Sequence, residues 1–197
     1  MVSLSKSEGK VMLRLFKDFS QDYNANSLSK EVGITPRGTL KILKRLEAQE
    51  LLISKQQGRA VFYKVNLDDK YVSKIVETLL IAEARENAKR WIDEFREVYQ
   101  DTEIVLIFGS IIKNPKMASD VDVLFVFKKG KYDKVANFVS EKNKILFKKI
   151  HEIPQTMSDL KENLNKKNKA LIDAVSTGYV LHGQDKLIEI VKNVTSF

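Results

Sequence analysis

The sequence predicts a mixed α/β (α+β) fold in which a helical connector joins two small domains. Residues 1–67 show three amphipathic helical patterns followed by a two-stranded hairpin. Residues 68–100 continue a helical pattern, and residues 101–197 alternate strands with helices. A chain of 197 residues has room for two such domains. We therefore expect domain boundaries near residues 67 and 100.

Composition excludes several classes of protein. The chain is 43% hydrophobic and 30% charged, which is typical of a globular protein. It has no cysteine, so disulfides, thiolate metal sites and thiol catalysis are excluded. No apolar run is long enough to span a bilayer, and the first residues lack the apolar core of a signal peptide. We therefore expect a cytoplasmic protein with no membrane partner.

Positive charge is concentrated near the start of the chain. The net charge is +8, and residues 1–67 hold 12 lysines and arginines against 6 acidic residues. A small domain with this balance indicates a polyanion as partner, although a lysine-rich surface can also serve solubility alone.

Two helices open the first domain. Ser5 and Glu8 have the spacing of a capping box, and the apolar stripe that follows predicts a first helix ending near Ser20. A second helix begins near Ser27 and ends at Gly33, a residue type that favours the left-handed conformation found after helices.

A third helix carries the candidate recognition surface. Thr35 caps it and Pro36 takes its first position, where the missing N–H costs nothing. Its leucines face one way, at Leu40, Leu43 and Leu46. Its basic side chains face the other way, at Arg37, Lys41 and Lys44, with Arg45 nearby.

A hairpin with a basic tip follows, over residues 52–65, and completes the pattern of residues 5–67. This stretch resembles a winged helix-turn-helix domain of prokaryotic transcription regulators. The resemblance implies double-stranded DNA as partner, with the third helix in the major groove and Lys55 and Arg59 at phosphates or the minor groove. The alternative is a domain that makes protein contacts only.

The connector predicts a long helix from Asp68 to about Tyr99, with a break near Asn87. Its apolar stripe suits either packing within its own chain or pairing with a second copy. Because winged-helix regulators read paired half-sites, we expect a homodimer.

The second domain is organised around a strand that ends in Gly109-Ser110, followed nine residues later by Asp120 and Asp122. Residues two apart on a strand share a face, so both carboxylates point the same way. At about 4 Å apart they would repel by roughly 4 kcal/mol at an effective dielectric of about 20. A divalent cation that also holds nucleotide phosphates would offset this repulsion.

These residues resemble the signature of the DNA polymerase beta superfamily of nucleotidyltransferases in its minimal form. The resemblance covers residues 101–197 and implies a small α/β domain with Mg²⁺ (or Mn²⁺) and an NTP, expected to be ATP, as cofactors. It implies that Asp120 and Asp122 hold the metal and act in catalysis. It also implies that Gly109 and Ser110 cradle the triphosphate, and Lys113 is a candidate for neutralising it.

Full members of that family use a third carboxylate on a neighbouring strand, and Glu152 is the only acid on the strand predicted over residues 146–153. Two hypotheses follow. The first is an enzyme that transfers a nucleoside monophosphate from an NTP to a hydroxyl acceptor. The second is a DNA-binding transcription regulator whose nucleotidyltransferase-like domain binds nucleotide without turning it over. His151 and His182 lack metal-ligand spacing and are expected to be packed or surface residues.

Overall fold

A computed structural model describes residues 3–195 and divides the chain into two compact units. The first unit holds residues up to 79 together with the stretch from 191, and the second holds residues 80–190. Both units combine helices with a β-sheet, so the predicted α+β class is confirmed. Within the described residues, no helix combines the length and apolar character of a membrane span.

The first unit is built from three helices and a hairpin: α1 Lys6–Lys17, α2 Ala25–Val32, α3 Pro36–Ala48, β1 Leu52–Gln57 and β2 Ala60–Val65. The two strands pair antiparallel, and an isolated bridge joins Tyr23 to Tyr63. This is the winged helix-turn-helix arrangement predicted from the sequence, with the hairpin as its wing.

The predicted helix caps are present. The Ser5 hydroxyl accepts a hydrogen bond from the Glu8 amide, and the Glu8 carboxylate accepts one from the Ser5 amide. Gly33 ends α2 with φ 67°, and the Thr35 hydroxyl accepts from the Gly38 amide at the start of α3. Each of these features satisfies an N–H or carbonyl that the helix itself leaves unpaired.

The buried side of α3 differs from the prediction at one position. Thr39, Leu43 and Leu46 are fully buried, whereas Leu40 is 44% exposed, so the prediction that Leu40 faces the same way as the other two leucines is wrong. The buried stripe centres on Thr39 and Leu43. At about 100° per residue, this puts Leu40 at the margin of the stripe and close to the basic side chains.

The connector is helical in three pieces: α4 Lys70–Asn87, α5 Lys89–Glu94 and a 3₁₀ helix over Arg96–Asp101. The break falls at Ala88, which has non-helical backbone angles. Most of the predicted apolar stripe is buried within the chain, at Val72, Val76, Leu80, Ala84, Ala88 and Phe95. Most of this stripe therefore packs within its own chain, while Ile75 and Leu79 are only partly buried.

The second unit is a four-stranded sheet with helices. Its elements after the connector are β3 Thr102–Phe108, α6 Ser110–Lys113, β4 Asp120–Phe127, α7 Tyr132–Ile145, β5 Lys149–Gln155, α8 Met157–Asn165, α9 Lys169–Thr177 and β6 Tyr179–His182, with α10 Gln184–Val194 beginning here. The strand order is β5-β4-β3-β6; β4 and β5 are parallel, and the other pairs are antiparallel.

The amphipathic pattern of residues 156–176 predicts a single helix, and this prediction is wrong. The stretch forms two helices, α8 and α9, because Lys167 takes a left-handed conformation with φ 56°. The Asn168 side chain then accepts a hydrogen bond from the Leu171 amide and caps α9. A positive φ at a non-glycine residue ends a helix, and asparagine is a favoured N-cap.

The sheet has two different faces. On β4, Val121, Val123 and Phe125 point into a core cluster that also contains Val135 and Val139 of α7. Because side chains alternate along a strand, Asp120 and Asp122 lie on the opposite face. The fold therefore separates the aspartates from the α7 side of the sheet.

Candidate functional site

The first candidate site is the exposed side of α3. Arg37, Leu40, Lys41 and Lys44 occupy positions i, i+3, i+4 and i+7 of this helix, all four are exposed, and they line one shallow groove together with Thr35 and Gly38. We call these four residues the basic face. Lys44 also forms an ion pair with Glu47, with 3.0 Å between Nζ and Oε2. The structure thus brings three of the four predicted α3 cations onto one surface.

Arg45 forms an ion pair that the sequence does not predict. Its Nε lies 3.2 Å from Oε1 of Glu8, a side chain that is only 2% exposed. Removing one partner of an ion pair that contains so buried a carboxylate is costly. Arg45 therefore ties α3 to α1 and does not belong to the basic face.

The wing carries the other two predicted DNA contacts. Lys55 is exposed on β1 and Arg59 is exposed in the turn, next to Gly58 with φ 60°. The hairpin therefore presents two cations, as the sequence predicted.

The second candidate site lies in the second unit, where β3 ends beside the start of β4. Phe108 pairs with Asp122 across the two strands, and Gly109 follows with φ 78°. A Cβ at Gly109 would lie 2.1 Å from Oδ2 of Asp122, so only glycine fits against this carboxylate. Asp120 and Asp122 are half-buried at the start of β4. We call Gly109, Ser110, Asp120 and Asp122 the aspartate site.

A histidine of β5 lies beside the aspartate site. In the parallel pairing of β4 with β5, His151 lies beside Asp122, and its Nδ1 is 2.9 Å from Oδ1 of Asp122. A carboxylate only accepts hydrogen bonds, so Nδ1 carries the proton in this contact. The sequence predicts only a packed or surface place for His151 and misses this contact, because the register of the two strands cannot be read from alternation alone.

Glu152 is not brought to the aspartate site. It pairs in register with Val123, which belongs to the core cluster on the α7 side of the sheet. Burial raises the pKa of the Glu152 carboxyl above its ordinary value. The expectation that Glu152 completes an acidic triad therefore does not fit the register.

The predicted phosphate-binding residues are only partly assembled. Ser110 is exposed at the first residue of α6, but α6 has a single turn and therefore a small dipole. Lys113 is exposed at the last residue of α6, one turn away from Ser110. Lys149 pairs in register with Asp120, yet its ammonium donates to the backbone oxygens of Asn143 and Leu146.

The donor set of the aspartate site fits one divalent cation. Two half-buried carboxylates on one strand face are hard oxygen ligands suited to Mg²⁺ or Mn²⁺. Among the described residues, no group of three or more His, Asp or Glu side chains is arranged to hold a metal ion. The structure thus places two carboxylate ligands on one strand face, with no third His, Asp or Glu grouped with them among the described residues.

The placement of Glu152 gives a stability prediction. Its folded pKa is above the unfolded value, so its contribution favours folding below the unfolded pKa and is lost as the pH rises through the folded pKa. We expect Glu152→Gln to raise the unfolding temperature at pH 7 to 8, and this gain should vanish below about pH 4, near the ordinary carboxyl pKa. Thermal melts across this range test it. An unfolding temperature that falls at pH 7 would contradict the placement.

Comparisons with known proteins do not identify a family for this chain. No protein-family profile matches the sequence, and no curated protein matches it significantly. A structure of Lactococcus lactis ZitR, described as a zinc-responsive MarR family member, matches 73% of this chain and 76% of its own, with 14% identity and a TM-score of 0.34. A structure of a single-residue mutant of ZitR matches 73% and 75% of the two chains, with 16% identity and a TM-score of 0.34. Similarity at this level assigns neither family nor function.

Proposed function

We propose that this chain is a DNA-binding transcription regulator whose second unit binds a nucleoside triphosphate without transferring it. The observation that carries the proposal is the basic face of α3. Three cations on an exposed helix of a winged helix-turn-helix unit form the electrostatic footprint of a protein that binds duplex DNA.

The geometry of the first unit supports the proposal that the chain binds DNA. The N-terminal part of α3 is exposed, capped and free of acidic residues in its first turn, so it suits insertion into the major groove. Arg37 and Lys41 would contact phosphates or base edges there. Lys55 and Arg59 of the wing would contact the flanking backbone.

The proposal that the second unit binds a nucleotide rests on the aspartate site. Asp120 and Asp122 would hold one Mg²⁺ or Mn²⁺, which would neutralise the charge on the phosphates of an NTP, and ATP is the first nucleotide to test. Gly109 lets the Asp122 carboxylate lie directly against its backbone, because it lacks a side chain. His151 lies beside Asp122 and hydrogen-bonds it, so it would orient that ligand, and its imidazole suits Mg²⁺ less well than a third carboxylate would.

A second candidate function is Mg²⁺-dependent nucleotidyl transfer to a hydroxyl acceptor. It is favoured by the close fit of Gly109 against Asp122, which reproduces the first two parts of the nucleotidyltransferase signature. It lacks the third carboxylate that would activate the attacking hydroxyl. Incubation of the protein with radiolabelled NTP and cell extract separates the two candidates, since only an enzyme labels an acceptor.

The proposed function is tested by selection from random duplexes. We expect the full-length protein to enrich a defined sequence from a pool of random DNA, and to bind it with strong salt dependence. Light scattering of the protein–DNA complex would show whether two copies bind, as expected for paired half-sites. Absence of any salt-sensitive binding to duplex DNA would overturn the proposal.

Leu40 gives a specificity prediction for the basic face. An exposed leucine among three cations is placed to contact the C5-methyl group of thymine, a feature that uracil lacks. In a selected duplex, we expect one thymine whose replacement by deoxyuridine weakens binding about 5-fold or more, on the scale of about 1 kcal/mol per apolar base contact. Leu40→Ala should bind both duplexes equally. If every thymine tolerates the exchange, Leu40 does not read the groove.

A further inference from the structure

A pocket in the second unit is not used by the proposed function. It has a volume of about 350 Å³, within the size range of small-molecule sites, and Ala88, Ile111 and Leu146 line its floor. These three residues belong to the core cluster that contains Val121 and Val123. The pocket therefore lies on the opposite face of the sheet from Asp120 and Asp122.

Three aromatic side chains form much of its wall. Trp91 and Tyr179 are half-buried, and Phe147 is 96% exposed in the loop before β5. A phenyl ring held almost entirely in water has no role in stabilising the fold, because it buries almost no apolar surface. Rings at the wall and mouth of one pocket provide surfaces on which a flat ring can stack.

The charged side chains that line the pocket are the cations Arg90 and Lys148, and Glu83 acts electrostatically on one lining residue, Tyr179. The Arg90 guanidinium lies 5.1 Å from the centre of the Trp91 ring, and the Lys148 ammonium donates to the backbone oxygen of Ala118. Among the described residues that line the pocket, none is an aspartate or a glutamate. Arg90 has no carboxylate within ion-pair distance in the part of the chain that the structure describes. The pocket is therefore electrostatically complementary to an anion.

We propose that this pocket binds a small planar aromatic carboxylate, with its ring against the aromatic wall and its carboxylate on Arg90. The aromatic side chains select a flat ring, and the cation beside Trp91 selects a negative charge on that ring. The inference stands on its own and needs neither the DNA-binding nor the nucleotide-binding proposal.

The chain supplies its own reporter, because Trp91 is the only tryptophan. The full-length protein is titrated with benzoate and 1-naphthoate, while Trp91 fluorescence and the heat of binding are measured. We expect saturable binding of at least one of them, with a Kd below about 1 mM. Benzamide and 1-naphthamide test the charge, and cyclohexanecarboxylate tests the flat ring. All three should bind at least about tenfold more weakly, the effect of losing one charge-assisted contact or one stacking surface.

Two variants with matched controls locate the site. Arg90→Gln and Phe147→Ser should each weaken binding about tenfold or more, again on the scale of one lost contact. Arg85→Gln and Ile145→Ser remove an exposed arginine and an exposed apolar side chain outside the pocket, and they should bind as the unchanged protein does. Phe147 is so exposed that its replacement should leave the melting temperature unchanged.

Three results would overturn the proposal. The first is the absence of saturable binding by both fluorescence and calorimetry. The second is equal affinity for the carboxylates and their amides, or for the flat and the saturated ring. The third is a Phe147→Ser variant that binds ligand normally but has a lower mass in sedimentation, since the exposed ring would then belong to an interface between protein chains.

Discussion

Replacing Arg37 and Lys41 together by alanine should reduce affinity for duplex DNA by roughly 10²-fold at low salt, because two charge-assisted contacts of about 1.5 kcal/mol each are lost. Both side chains are exposed on the basic face, and neither forms an ion pair in the described structure, so the fold should be unaffected. The slope of log affinity against log salt should fall in magnitude by about 1.8, since each phosphate contact contributes about 0.9. Fluorescence anisotropy with one labelled duplex, over a salt series, measures both quantities.

A matched pair of substitutions separates the basic face from net charge. Lys6→Ala with Lys70→Ala removes the same charge from exposed positions at the starts of α1 and α4, outside the groove of α3. This control should lose little affinity and keep the salt slope. If both pairs weaken binding equally, the protein binds DNA through general charge, and α3 has no special place in recognition.

Arg45 gives a further test of whether the basic face, rather than any arginine of α3, contacts DNA. Because its guanidinium pairs with the buried Glu8, Arg45→Ala should lower the free energy of unfolding, while any loss of DNA affinity should follow only from partial unfolding. For the protein that remains folded, the slope of log affinity against log salt should equal that of the unchanged protein. The sequence places Arg45 beside the other three cations, and only the contact with α1 distinguishes it from them.

The parts of the structure that the sequence predicts well are governed by local interactions. The Ser5–Glu8 box, the Gly33 C-cap and the Thr35 cap each depend on residues within four positions of one another. The Gly109 turn is also predictable, because few residue types can follow a buried strand with a positive φ. Local rules therefore locate the helix starts and the edge of the aspartate site.

The parts that could not be predicted depend on packing between distant segments. Leu40 is exposed because α3 buries a stripe centred on Thr39, and a threonine in that position carries almost no signal of burial. Which β5 side chain lies beside Asp122 depends on the register of β5 against β4. A shift by one residue would replace His151 by Glu152 beside Asp122, and the alternation of β5 fits both registers.

Replacing Asp120 and Asp122 together by asparagine should abolish Mg²⁺-dependent ATP binding, with a loss of about 10²-fold or more, because neutral amides are weak ligands for a hard divalent cation. The fold should survive, since the amide oxygen introduced at position 122 can still accept the hydrogen bond from His151 Nδ1, and Gly109 still has no Cβ to clash with that side chain. Without metal, the unfolding temperature should stay the same or rise, because two mutually repelling carboxylates are removed.

Calorimetric titration of ATP with and without Mg²⁺ measures the binding. Asp133→Asn with Asp173→Asn makes the same change in net charge at two exposed helix positions and should bind as the unchanged protein does. If both pairs of substitutions weaken ATP binding equally, ATP binding depends on the overall charge of the protein. If the unchanged protein binds ATP and also labels an acceptor with radiolabelled NTP, the second unit is an enzyme despite His151, and the proposed regulator without transfer is wrong. Binding without labelling, lost only in the Asp120/Asp122 pair, is the result we expect from a site with two carboxylates and a histidine beside them.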